Sequence, residues 1–280
     1  MIKKSLLAIS LLFNSPVLFF NKLIFKIKSF FPIPSYPVRK RINGINFEFD
    51  FTYDPAIRYM YLEIYEMPVV KIMKKILRKG DAFIDVGANI GYLSAIGAGL
   101  VGITGQVHSF EPVPKYFQKL EKLSELNPNY KIKANNYALG EKEDVAQINL
   151  TNFANIGHNT MVPGFMKPEL RKESISIPVK RLDNYIKEQN LANITLIKID
   201  VEGFEFPVLK GLKNCLINSE FRPVIVCEIN PEVCSLMNYH LTDLFDYMKD
   251  FGYSSFDMNN QRINWSDIKE LPNILFIPYK

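Results

Sequence analysis

An α/β fold around a mainly parallel sheet is what this chain of 280 residues predicts, and three observations carry that expectation. From Asp81 onward, short apolar runs alternate with stretches of helical spacing, the pattern of parallel strands joined by crossover helices. Several of those runs end in a carboxylate or a glycine turn, where an open α/β sheet gathers its ligand-binding residues. A composition of 48% hydrophobic and 22% charged residues is enough for one full-sized core with an appendage.

The appendage comes first. Met1 to Phe20 opens with Lys3 and Lys4 and continues as a Leu-rich run, as a secretory signal does, but Asn14, Ser15 and Pro16 interrupt it and no small-residue cleavage site follows. Ser5 to Phe20 is shorter than the roughly 20 residues needed to cross a bilayer as a helix. Leu23, Ile24, Ile27, Phe30 and Phe31 fall on one helical stripe away from Lys22, Lys26 and Lys28. That stripe suits a helix lying on a membrane surface through residues 1–31, or one packed on the rest of the chain with snorkelling lysines. Phe31 to Pro37 holds three prolines and reads as an extended linker, so residues 1–37 are separated from a catalytic unit over 38–280. Val38 to Thr52 alternates around Asn43-Gly44 and predicts a hairpin, and Tyr59 to Lys79 predicts one helix. Core strands are predicted at 82–86, 107–110, 132–135, 195–199, 224–228, 254–258 and 274–277. Two alternating runs, 146–150 and 174–179, predict an inserted hairpin or lid.

Charge and cysteine content narrow the function classes. The first 47 residues carry eight basic side chains and no acidic one, whereas the remainder is slightly acidic, so no basic face for nucleic acid is expected. Cys215, Cys227 and Cys234 form no C-x-x-C pair, which predicts neither a disulfide framework nor a zinc site and points to a reducing, cytoplasmic setting with contact at the membrane periphery through the head. No metal is called for.

The sharpest motif is F-I-D-V-G-A-N-I-G-Y-L-S, Phe83 to Ser94, an apolar strand ending in Asp85 that turns through Gly87, Asn89 and Gly91 into a helix. Its G-x-x-x-G spacing departs from the G-x-G-x-x-G of pyrophosphate-binding turns. S-adenosylmethionine has no phosphate; it needs backbone room and an acidic group near its ammonium, which Asp85 is placed to supply. V-H-S-F-E-P ends the second strand in Glu111, whose carboxylate can accept bonds from both ribose hydroxyls. Glu111 alone says only adenosine nucleoside, so a nicotinamide-dependent oxidoreductase stays as an alternative that the glycine spacing disfavours. Asn135 to Tyr137, Asn136 in particular, is placed to meet the adenine rim. I-K-I-D-V-E-G-F-E sets Asp200, Glu202 and Glu205 at a strand's carboxyl end, a crowd of like charges that is costly unless used. The N-terminus of a following helix would by itself account for Glu205.

Together these segments resemble the FkbM family of methyltransferases, on the D-V-G-A-N-x-G-x-x-S turn, the acidic-Pro pair at Glu111-Pro112 and K-x-D-x-E-G-x-E at Lys198 to Glu205. Y-E-M-P at 65–68, A-L-G at 138–140 and R-L-D at 181–183 extend the resemblance over approximately residues 63–230. The resemblance implies a Rossmann-like class I methyltransferase fold, a mainly parallel seven-stranded sheet with helices on both faces and the last strand antiparallel. It also implies S-adenosyl-L-methionine as cofactor and methyl transfer to a hydroxyl of a glycan or small-molecule natural product. Cofactor contacts are expected from Glu66, Asp85, Gly87, Asn89, Gly91, Glu111, Asn136 and Asp200. The candidates for catalysis are Asp200, Glu202 and His158, the last in the inserted region with an ordinary pKa suited to neutral pH. His108 is expected in the core, and His240 at the start of a late helix. Asn159 and Thr160 are candidates for acceptor hydroxyls, and Trp265, Tyr253 and Phe256 for a sugar platform or plain packing. A catalytically silent, membrane-associated binding module is the remaining alternative.

Overall fold

The computed structural model describes residues 36–52, 56–151, 159–217, 222–268 and 273–279; the basic head and His158 lie outside them. The first elements are the expected hairpin, β1 (Val38–Ile42) and β2 (Ile45–Phe49), paired antiparallel. Asn43 and Gly44 both adopt the left-handed conformation that a tight two-residue hairpin turn demands.

The single helix expected over Tyr59 to Lys79 is instead two, α1 (Ala56–Tyr61) and α2 (Met67–Ile76). Glu63 and Glu66 between them take left-handed φ values of 56° and 49°. Pro68 explains the restart, because it has no N–H to donate and is tolerated only in a helix's first turn.

Then come β3 (Ala82–Val86), α3 (Tyr92–Val101), β4 (Gln106–Phe110), α4 (Pro114–Glu125) and β5 (Lys131–Asn135). The insertion follows as β6 (Ala138–Leu139), β7 (Asp144–Thr151) and β8 (Arg171–Lys180), a separate sheet in which β7 and β8 form the expected antiparallel pair. The core resumes with α5 (Leu182–Glu188), β9 (Ile194–Ile199), α6 (Glu205–Lys210), α7 (Lys213–Ile217) and β10 (Val224–Glu228). It finishes with α8 (Pro231–Leu236), α9 (Leu241–Asp250), β11 (Tyr253–Phe256) and β12 (Asn273–Pro278).

Seven strands make the main sheet in the order β11-β12-β10-β9-β3-β4-β5. All run parallel except β12, which is antiparallel to both neighbours, as expected of the last strand. Alternation along β3 sends Phe83 to one face and Ile84 to the other, so two cores form. One packs under α2, α3, α4 and the hairpin; the other packs under α5, α6, α7 and α9. Asn127 ties the hairpin down, accepting from the Asn46 N–H and donating to the Asn46 carbonyl, each at 2.8 Å.

The chain leaves β3 toward β4 and β5, then returns to lay β9 on β3's other side and continues outward to β10. That reversal leaves no crossover covering the carboxyl ends of β3 and β9, which opens a crevice there. Among the described residues no helix is long and apolar enough to cross a membrane.

Candidate active site

A cavity of about 270 Å³ opens at this reversal, lined from β3, β4, β9 and β10 and also by Tyr65, Glu66 and the inserted segment. Glu66, Asp85, Gly87, Asn89, Glu111, Asp200 and Glu202 come together on its walls. Gly91 sits one layer behind, at φ 85° as N-cap of α3, where a Cβ would meet Leu120 Cδ1 at 2.7 Å.

The turn after β3 and the loop after β9 touch through backbone. A Cβ built on Gly87 would lie 1.8 Å from the Asp200 carbonyl oxygen, and φ of 75° already disfavours any other residue. Glycine here is what lets the two halves of the crevice meet.

Glu111, at the end of β4, accepts from the Asn89 N–H and the Val113 N–H, both at 2.9 Å, one on each oxygen. An ionised carboxylate has about four lone-pair sites, so each oxygen keeps one for a ligand. Burial pushes this carboxyl up to about 7 against the pull of those two N–H groups.

Two of the expected contact residues are also engaged within the protein. Asp85 lies at the cavity floor but is fully buried, with one oxygen accepting from Ser94 Oγ at 2.5 Å and the other 3.6 Å from Lys198 Nζ. Burial raises its carboxyl, and Lys198 and the Ser94 hydroxyl oppose that rise from inside the protein. Asn136 is not on the cavity wall; its amide donates to the carbonyls of Glu111 and Pro112 at 2.9 and 3.1 Å, and Tyr137, one residue on, lines the cavity instead. Asn136 and Tyr137 lie in the bend between β5 and β6, and the tether to the residues after β4 holds Asn136 away from the cavity.

Lys198 was not singled out as a site residue. It is buried on β9, its ammonium 2.9 Å from the Gly87 carbonyl, 3.3 Å from Asp200 Oδ2 and 3.6 Å from Asp85 Oδ1. The signal was a lysine inside the apolar run I-T-L-I-K-I. Glu228, at the end of β10, was missed as well, although it ends an apolar strand just as Glu111 does.

Carboxyl oxygens of Asp200, Glu202 and Glu228 lie within 4.8 Å of one another. Such crowding splits their titration. Burial alone would raise Asp200, but Lys198 and a hydrogen bond with Glu228 hold it below the usual carboxylate range. Burial, followed by the charges of Asp200 and Glu205, pushes Glu202 up to about 8. Burial and the Asp200 charge also raise Glu66. Glu205 faces away, its Oε1 accepting from the N–H groups of Val201 and Gly203 at 3.0 Å each, which is the bracing role available to a first-turn carboxylate.

The insertion forms part of the wall through Ile148, Asn159 and Met161. Thr160 is buried and its hydroxyl donates to the Glu202 carbonyl at 2.7 Å, so it holds the loop rather than facing an acceptor. Glu202 itself is left-handed at φ 53°, a strained conformation of the sort that functional loops retain. His108 is buried against Tyr185, at 2.6 Å from its hydroxyl, and burial pulls it down to about 4. Trp265, Tyr253 and Phe256 lie outside the cavity wall, and Tyr253 is core.

The donor set suits a cationic ligand carrying a ribose. Carboxyls outnumber the single buried lysine, and Glu111 keeps free lone pairs across the crevice.

Among known proteins, the chain is similar to the hexuronic acid methyltransferase AglP of Haloferax volcanii, 26% identical over 168 residues that make up 60% of this chain and 64% of that protein. It is also similar to methyltransferase sdnD of Sordaria araneosa, 28% identical over 183 residues, 55% of this chain and 68% of that one. The match thus spans slightly less than two thirds of the haloarchaeal relative's length. A crystal structure of methyltransferase FkbM from Methylobacillus flagellatus aligns with 18% identity and a TM-score of 0.42, covering 79% of this chain and 53% of that one. The methyltransferase FkbM domain matches residues 85–255, which run from the last turn of β3 to β11 and include every strand-end carboxylate of the cavity, and the chain belongs to the FkbM methyltransferase family.

Proposed function

We propose that this chain is an S-adenosylmethionine-dependent O-methyltransferase acting on a hydroxyl of a glycan or small-molecule acceptor. The observation that carries the reading is Glu202, a carboxyl pushed up to about 8 in the wall of the cavity that Glu111 also lines. An alcohol is a poor nucleophile at neutral pH, and a base is most effective when its pKa lies near the working pH. Asp200, held low by Lys198, is a weaker base and a better counter-charge.

When bound, S-adenosylmethionine supplies a methyl group already activated on a sulfonium. The residues then divide the remaining work. Glu111 holds the ribose hydroxyls, while Gly87 and Asn89 leave backbone room in the turn. Glu66 and Asp200 meet the positive charges, taking the part expected of Asp85, and Gly91 keeps the helix behind the turn close. Glu202 accepts the hydroxyl proton of the acceptor. Water is kept out by Tyr65 on one side and Met161 on the other. The named activity of the haloarchaeal relative makes sugars the first acceptor class to try.

The test is transfer of an isotope-labelled methyl from S-adenosylmethionine to a panel of neutral glycosides, uronates and aliphatic alcohols, with product identified by mass spectrometry. A methyl ether formed by the wild-type chain, and slowed about 10²–10⁴-fold by Glu202→Gln with cofactor affinity kept within a few-fold, is expected. Methylation at nitrogen or at a carboxylate, or unimpaired turnover by Glu202→Gln, would overturn it.

A further inference from the structure

Of the carboxyls around this cavity, Glu228 is the one that neither the motifs nor the proposed chemistry uses. We propose that Glu228 is a positioning residue of this site: a neutral carboxylic acid whose O–H donates to the Asp200 carboxylate, orienting it and leaving the pair with one negative charge. The inference deepens the functional reading above and rests on it for its catalytic meaning, though not for its test.

The argument begins with geometry. Glu228 ends β10 next to β9, whose following loop carries Asp200 and Glu202, and all three carboxyls line one cavity within 4.8 Å. The carboxyls of Asp200 and Glu228 lie within 4.8 Å of each other, and a hydrogen bond between them is among the causes that lower Asp200 and raise Glu228. Ionised carboxylates are acceptors only, so that bond requires a proton on one of them.

Lys198 decides which. Its ammonium lies 3.3 Å from Asp200, and among the described residues no basic side chain pairs with Glu228. A cation on one side makes Asp200 the cheaper of the two to ionise, and the proton stays on Glu228. The other groups around Glu228 only reinforce this. Glu202 from the loop after β9 and, more remotely, Glu205 at the start of α6 add negative charge, Tyr65 and Glu66 belong to the same wall from the N-terminal side, and Cys227 adjoins it on its own strand. None of these is a cation. Accordingly, burial and the Asp200 charge push Glu228 up to about 10.

The consequence for the reaction is a division of roles. If both members of the pair were ionised, Glu202 would face two negative neighbours and be still harder to ionise. With Glu228 neutral, Asp200 keeps a fixed charge toward the cofactor side and Glu202 remains the group that exchanges its proton.

Infrared spectroscopy of the full chain at pH 9, without cofactor, tests the proton directly. Glu111 and Glu205, each pushed up to about 7, and Glu202 at about 8 have ionised by then. The expected result is a protonated-carboxyl C=O band present in the wild type and missing from Glu228→Gln, read as a difference spectrum so that any proton held by Asp85 or Glu66, both raised by burial, cancels. Asp200→Asn should lower the pH at which the band disappears, because Glu228 keeps its burial but loses the charge that helps hold its proton; this variant serves if Glu228→Gln folds poorly. As a functional readout, Glu228→Gln keeps an N–H donor and should leave S-adenosylmethionine affinity within about threefold. Glu228→Leu keeps the bulk but donates nothing, and should move the acid limb of the pH dependence of that affinity upward by about one pH unit. The proposal is overturned if the band is absent at pH 9, if it survives in Glu228→Gln, or if Gln behaves as Leu does. It is equally overturned if Mg²⁺ or Mn²⁺ alone erases the wild-type band and raises the melting temperature, since the three carboxyls would then share a metal ion. Loss of cofactor binding with the band intact would instead sink the functional reading and leave the proton where it is.

Discussion

Replacing Lys198 by methionine keeps the length of the side chain and deletes its charge, which isolates what the buried ammonium does. In the native protein it meets the Gly87 carbonyl at 2.9 Å and bridges two carboxylates, Asp85 at 3.6 Å and Asp200 at 3.3 Å. Asp85 has no accessible surface, and without Lys198 its Oδ1 has no other partner. Removing one member of a buried ion pair costs about 3–5 kcal/mol, because the other is left charged and unsolvated. At about 2–4 °C per kcal/mol for domains approaching this size, the melting temperature should fall by roughly 6–20 °C. Two features separate this from a packing defect. The deficit should shrink as pH falls toward 5, because the orphaned Asp85 can take up a proton. Lys198→Met/Asp85→Asn should also be more stable than the sum of the single changes by about 1 kcal/mol or more. Calorimetric melts of the four proteins at pH 5 and 8 make the comparison. A Lys198→Met chain melting with the wild type, or a large deficit that is additive and independent of pH, would refute the bridging role.

Gly87→Ala should destabilise by about 2–4 kcal/mol, from the left-handed backbone and the clash with the Asp200 carbonyl, and should weaken S-adenosylmethionine in calorimetry; wild-type values for both would contradict the close approach described here. Glu111→Ala should weaken cofactor binding by about 1.5–3 kcal/mol, the range for hydrogen bonds to a charged group, and unchanged affinity would remove Glu111 from the site. Glu111, Glu202 and Glu205 hold protons in the folded chain up to about 7, 8 and 7, whereas the ordinary value is 4.5. The folded state then binds more protons than the unfolded one between pH 4.5 and 8, so thermal stability should fall as pH rises through that window; a melting temperature that climbs from pH 6 to 8 would contradict these shifts. The basic, aliphatic stretch 1–31 should carry the full chain onto anionic liposomes in flotation, and a chain starting at Val38 should stay behind with its cofactor affinity unchanged.

Most of the sheet was legible in the sequence because its strands are buried on both faces and read as unbroken apolar runs. Ala82–Val86 and Val224–Glu228 have the expected bounds, whereas β4 and β5 begin one residue early, on Gln106 and Lys131, polar residues that apolarity cannot flag. The break between α1 and α2 was less visible. Its left-handed residues are glutamates rather than glycines, and the signal lay in Pro68. At the site, strand-end acids were found when a glycine or proline marked the turn, as at Asp85, Glu111 and Asp200. Glu228 is followed by Ile-Asn-Pro, and Pro231 stands as far beyond it as Gly203 stands beyond Asp200, so the mark was present and was passed over because the acids there do not crowd as Asp200, Glu202 and Glu205 do. Lys198 needs a partner 113 residues earlier to make sense, and Asn136 is set apart from Tyr137 by its tether to the Glu111 and Pro112 carbonyls. Pairings across the sheet and single-residue register are tertiary facts, and local spacing does not encode them.

The 2.7 Å bond from Thr160 to the Glu202 carbonyl joins the inserted segment to the loop that carries the proposed base. Glu202 follows β9 of the main sheet; Thr160 belongs to the segment inserted between β5 and β9. Exchange of that insertion is therefore not a neutral swap of an acceptor-facing surface. A graft that brings a new recognition loop but no hydroxyl at this position releases the strained backbone of the proposed base, so a change of acceptor by loop exchange carries its own penalty in turnover. Retaining Thr160 and the bridge between Asn149 and Thr160 should be the first condition on any such graft.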